Sequence, residues 1–78
     1  MPPRDPAITQ EKVINFLREH GYAYRDQAKR TVIYRKGLSI IHVPRSTTID
    51  EDWVRGQFQY IEGVTIEDIK AFLAACRS

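Results

Sequence analysis

The chain has 78 residues, of which 42% are hydrophobic and 28% charged, the balance of a globular domain and not of a disordered tail. One domain of this size buries roughly 60–65% of the surface that its unfolded form exposes, which argues against an elaborate enzyme with a deep cofactor pocket and leaves room for a binding module or a small hydrolytic site on a surface. The net charge of +2 is unevenly spread: residues 21–45 carry six cations against Asp26 alone, and residues 46–69 carry six carboxylates against Arg55 alone.

Residues 1–8 read as a flexible arm, because Pro2, Pro3 and Pro6 forbid a regular element, and residues 9–78 read as one domain. A helix begins at Thr9, whose hydroxyl can accept from an orphan amide of the first turn. Ile8 and Val13 stand as a hydrophobic staple, and Val13, Phe16, Leu17 and His20 fall on one face with Ile14 on its flank. Gly21 follows as a left-handed C-terminal cap.

Three strands come next. The alternation in Tyr22-Ala23-Tyr24 predicts a first strand to about Gln27, and Thr31–Arg35 is β-branched and aromatic. Leu38–Val43 is a third strand, stopped by Pro44. Lys36-Gly37 suits a two-residue hairpin turn, a register that sets Arg35 opposite Leu38, Ile33 opposite Ile40 and Thr31 opposite His42. Val32, Tyr34, Ile41 and Val43 then share one face, and both faces carry apolar residues, so the pattern alone leaves open which of them meets the helices.

Thr48 and Glu51 stand as N-cap and N3 of a capping box opening a helix over 49–62. Gly56 weakens that helix, and Gln57-Phe58-Gln59-Tyr60 alternates as a short strand would. Gly63 ends the element. Thr65 and Asp68 form a second capping box, and Ile69, Phe72, Leu73 and Cys76 line one face of a last helix. The order α-β-β-β-α-α predicts an α+β fold, a three-stranded antiparallel sheet with helices on one face.

The chemistry-bearing residues are few. Arg25, Lys29, Arg30, Arg35, Lys36 and Arg45 are candidates for phosphate contacts through counterion release, and Tyr34 and its neighbours Tyr22 and Tyr24 are candidates for base stacking or for ordinary half-buried strand positions. His20 sits where an imidazole complements a helix C-terminus. Asp50-Glu51-Asp52 complements a helix start, and the two histidines and the single cysteine have no metal-ligand spacing, so no metal or cofactor is expected. Cys76 permits no internal disulfide, no apolar run approaches the ~20 residues of a membrane span, and the first six residues lack a signal's apolar core; a cytoplasmic protein is expected.

Several local sequences resemble the HicA-like (YcfA-like) family of toxin–antitoxin systems over roughly residues 9–75: Gly21-Tyr22 after the first helix, Val32-Ile33-Tyr34-Arg35, Val43-Pro44-Arg45, Arg55-Gly56, and Gly63-Val64-Thr65-Ile66-Glu67-Asp68. The resemblance implies a fold related to the double-stranded-RNA-binding domain, an mRNA-cleaving ribonuclease and a HicB-like antitoxin as partner. The family's Gly-Ser-His signature is replaced here by Lys29-Arg30-Thr31, and a second histidine by Ser46. Threonine does not serve as a general base near neutral pH. The expectation is therefore a small RNA-interacting protein with weak or absent mRNA-interferase activity. If any cleavage persists, His42 is the candidate catalytic base, with Arg30 and Arg45 holding the phosphate; otherwise His42 is a half-exposed strand residue without chemistry. The competing expectation is a protein-interaction module, antitoxin-like or regulatory, that uses the same fold without RNA. A DNA-binding regulator fits less well, since the helices after residue 46 are acidic.

Overall fold

In the computed structural model, which describes residues 8–77, the elements run α1 (Gln10–Glu19), β1 (Ala23–Gln27), β2 (Thr31–Lys36), β3 (Ser39–Pro44), α2 (Glu51–Phe58) and α3 (Ile66–Arg77). The strands form one antiparallel sheet in the order β1-β2-β3, so the chain has the expected α+β architecture. The expected arm lies outside the described residues except for Ile8, which packs against the core and accepts a 2.7 Å hydrogen bond from the Ile49 amide.

Both ends of α1 follow from local chemistry. Thr9 Oγ1 accepts from the Lys12 amide at 3.2 Å. At the other end the Tyr22 amide donates to the Leu17 carbonyl and the Gly21 amide to that of Arg18, a double closure that needs Gly21 at φ +91°. The chain then enters the sheet one residue later than expected, because Tyr22 is buried and its hydroxyl lies 2.6 Å from Ser39 Oγ.

The hairpin differs from the sequence expectation by two residues. Lys36 pairs with Ser39, and the turn residues are Gly37 and Leu38. Gly37 at φ +59° supplies the positive dihedral at the first turn position, where a lysine would be strained. Arg35 therefore opposes Ile40, Ile33 opposes His42, and Thr31 opposes Pro44. A two-residue slip keeps every side chain on its face. Tyr34, Ile41 and Val43 are buried and Val32 is partly buried, so this face meets the helices.

The second helix starts later and stops earlier than 49–62. Thr48 is no cap: the Gln10 amide donates to the Thr47 carbonyl, Thr48 bridges to Thr9, and Ile49 is drawn into the core. Asp50 takes the N-cap position without a side-chain capping bond. After Phe58 the chain turns, the Ile61 amide donating to the Phe58 carbonyl, and Ile61 is buried. Residues 57–60 are thus helix end and turn, not strand. Gly56 is inside α2 with nothing within 4 Å of a Cβ built on it. Gly56→Ala is expected to stabilise the protein by about 0.4–1 kcal/mol, read as a higher urea midpoint at unchanged slope; a lower midpoint would mean that the helix needs the glycine.

The last helix opens on the predicted capping box: the Thr65 amide donates to Asp68 Oδ2 at 3.0 Å, and the Asp68 amide to Thr65 Oγ1 at 3.1 Å. Ile69, Leu73 and Cys76 are buried. Phe58 of α2 stacks on Phe16 of α1 with centroids 4.4 Å apart and lies 5.2 Å from Phe72 of α3, so aromatic rings join the three helices on one side of the sheet.

Candidate nucleic-acid interface

The sheet holds its basic residues in two groups. Lys29 and Arg30 occupy the β1–β2 turn, closed by the 2.8 Å bond from the Ala28 amide to the Thr31 carbonyl. Arg45 joins them from the end of β3: its amide donates to the Arg30 carbonyl at 2.9 Å and its Nη1 to the Ala28 carbonyl at 3.3 Å. Arg35 and Lys36 lie at the opposite end of β2, five strand steps or roughly 16 Å from Arg30. Arg35 Nε donates to the Gly37 carbonyl at 2.7 Å, and the Lys36 stem lies over Gly21. Arg25 is at the β1 bulge, where the register slips between Tyr24 and Asp26. None of these six cations forms an ion pair among the described residues.

Beside Arg45 is a polar concavity of about 380 Å³, bounded also by Gln10, Gln27, Ser46 and Thr47, with Val32 as its apolar wall. Gln10, Gln27 and Thr47 carry no sequence signal, and Ser46 is marked only as the position of the resembled family's second histidine; the four come from α1, β1 and the loop after β3 and meet only through the fold. Gln10 is oriented by its Nε2, which donates to the Pro44 carbonyl at 3.0 Å. The site as built offers cations and amide or hydroxyl groups at one end of the sheet, the donors that hold phosphate and ribose oxygens.

Two expectations change here. Tyr34 is 3% exposed on the helix-facing side, so its ring offers no face to a base; of the three sheet-region tyrosines Tyr22, Tyr24 and Tyr34, the exposed one is Tyr24, which meets Tyr34 edge to face at 6.1 Å. His42 is exposed on the outer face opposite Ile33, not opposite Thr31. It lies within β3, three residues before Arg45, which follows the end of that strand. Arg30 and Arg45 are brought together at the backbone, and His42 is not brought to them.

His20 has a structural position: its Nδ1–H donates to the Phe16 carbonyl at 2.9 Å and its ring stacks on Phe16 at 4.3 Å. Among the described residues no group of three or more His, Cys, Asp or Glu side chains is placed to hold a metal ion, and no helix is long and apolar enough to cross a membrane. No protein-family model, curated protein or solved structure matches the chain.

Proposed function

We propose that the chain is a small cytoplasmic RNA-interacting protein of HicA-like type, with weak or no mRNA-interferase activity. The observation that supports the reading is the backbone pairing that sets Arg45, which borders the polar concavity, beside Arg30 at the β1–β2 turn. Function resides in such a site and not in the fold. Loss of the family's histidine at Thr31 and the separation of His42 from the arginines favour binding over cleavage.

The test is titration of a structured RNA by fluorescence anisotropy at several salt concentrations. Replacing Arg30 and Arg45 together by alanine is expected to flatten the slope of log K against log salt by about 1.4–1.8, the share of two phosphate contacts. Replacing Arg35 and Lys36 is expected to leave the slope nearly unchanged. Equal losses from both pairs, or no salt-dependent binding by the wild type, would overturn the reading. Incubation of the wild type with the same RNA is expected to give no cleavage; vigorous cleavage that survives His42→Ala would refute the assignment of roles.

The uncovered outer face of the sheet favours a second reading, a protein-interaction module for a HicB-like antitoxin or another protein partner. Ile40 is 44% exposed there, and Leu38 projects at the adjoining turn. On this reading RNA binding is absent and Ile40→Asp abolishes the complex with a partner encoded beside the chain.

A further inference from the structure

β1 and β3 are the two edges of the sheet, and they are built differently. β1 slips its register between Tyr24 and Asp26 and carries the charges of Arg25 and Asp26, two devices that keep an edge from pairing. β3 has neither. Its register with β2 is unbroken from Ser39 to Pro44, and Ser39–Val43 holds no Lys, Arg, Asp or Glu.

The hydrogen-bond phase of β3 follows from its two ends. A two-residue turn closes on a hydrogen-bonded pair, here Lys36 and Ser39, and beyond the other end the Arg45 amide donates to the Arg30 carbonyl at 2.9 Å. Between them, Tyr34 bonds with Ile41 and Val32 with Val43. The alternate residues Ile40, His42 and Pro44 therefore turn their backbone groups away from β2. The Pro44 carbonyl marks that direction, since it accepts from Gln10 Nε2 at 3.0 Å. The N–H and C=O of Ile40 and of His42 point the same way, on exposed residues, and have no partner among the described residues.

We infer that the β3 edge is a homodimer interface whose occupant is β3 of a second copy, antiparallel and centred on Ile41. In that register Ile40 exchanges both backbone bonds with His42 of the second copy, and His42 does the same with its Ile40. Four bonds then satisfy every outward group, and residue i meets j as j meets i, as a two-fold axis requires. The neighbouring two-fold registers keep only the two bonds of their central pair. Centred on Ile40, His42 would meet Leu38 in the turn; centred on His42, Ile40 would meet Pro44, which has no N–H and whose carbonyl already accepts from Gln10. The chosen register brings no like charges together. It sets Ile40, 44% exposed, beside His42 of the second copy and diagonal to its Ile40, so the apolar side chain is covered as well. Residues 1–7 do not suit this edge, because Pro2, Pro3 and Pro6 lack the donor that a ladder needs. One short strand is small beside the roughly 800 Å² per partner of a standard interface, so the dimer is reversible.

This inference rests on no part of the RNA reading. The experiment joins sedimentation equilibrium of the full chain from about 10 µM to 1 mM, a range that spans weak association, to amide hydrogen exchange read residue by residue by NMR. The wild type is expected to move from 9.1 kDa toward twice that mass as concentration rises. Exchange at Ile40 and His42 is expected to slow in step, whereas Ile41 and Val43, bonded to β2, are protected at every concentration. His42→Pro removes one outward donor per copy, two of the four bonds, without touching the β2 ladder, and is expected to weaken the dimer at least about tenfold. Its urea midpoint at low concentration checks that it folds. His42→Lys keeps the backbone donors, sets two lysines diagonal to one another in the dimer and is expected to weaken it too. A wild type that stays monomeric throughout, a dimer whose Ile40 and His42 amides exchange as fast as in the monomer, or folded variants that associate like the wild type would each overturn the proposal.

Discussion

Phe58→Ala is expected to destabilise the protein by about 3–5 kcal/mol, the range for deleting a buried aromatic ring. Phe58 is 0% exposed and stacks nearly parallel on Phe16 at 4.4 Å, with Phe72 at 5.2 Å and Trp53 at 6.4 Å. Its removal leaves a cavity between Phe16 of α1, Trp53 of α2 and Phe72 of α3. A domain of this size has little stability in reserve, typically 5–15 kcal/mol, so the variant should be partly unfolded at 37 °C. Urea unfolding of Phe58→Leu, which keeps most of the volume, should show a much smaller loss. A loss below about 1 kcal/mol for Phe58→Ala would show that the site collapses freely and that the aromatic cluster is not what joins the helices.

Val43→Asp and His42→Asp are expected to differ by more than about 3 kcal/mol although the positions are adjacent. Val43 is 0% exposed on the helix-facing side of β3, and no buried charged side chain is found in the described core. An aspartate there is a buried, unpaired carboxylate, a class of change that costs more than about 4 kcal/mol. His42, one step along the same strand, is exposed on the outer face, and an aspartate there should change stability by no more than about 0.5 kcal/mol. The pH dependence gives the sign independently. Burial raises the folded-state pKa of the introduced carboxyl above its unfolded value of about 3.9. The folded state then holds the extra proton, and the charge penalty grows as pH rises through the interval between the two values. The stability gap between Val43→Asp and Val43→Asn should therefore close below about pH 4. Chemical denaturation of the variants at pH 7 and pH 3.5 checks both statements; equal tolerance of the two aspartates would place the wrong face of the sheet against the helices.

The candidate site was partly legible in the same way. That residues 21–45 concentrate cations is visible in the chain. Which of them act together is not, because Arg30 and Arg45 are fifteen residues apart and meet only through β2–β3 pairing. Gln10, Gln27, Ser46 and Thr47 border the concavity from three separate segments, and no local pattern marks them as a group. A turn at Lys36-Gly37 would set His42 opposite Thr31; with the turn one residue later, at Gly37-Leu38, the pairing shifts by two and His42 faces Ile33.

What the sequence determined by itself is what short-range chemistry decides. Thr9 and Gly21 bracket α1, and Thr65 with Asp68 starts α3, because each device satisfies orphan backbone groups within a few residues of itself. The same holds for the alternation that set Val32, Tyr34, Ile41 and Val43 on one face. Only the tertiary structure decided which face would be buried, since Ile33 and Ile40 put apolar side chains on the other face too, and the choice depends on where three helices can close over the sheet. It likewise moved the start of α2 from Thr48 to Asp50. The local capping box at Thr48 competed with hydrogen bonds to residues 8–10 and with burial of Ile49, and the long-range contacts prevailed because they satisfy backbone groups and bury an isoleucine at once.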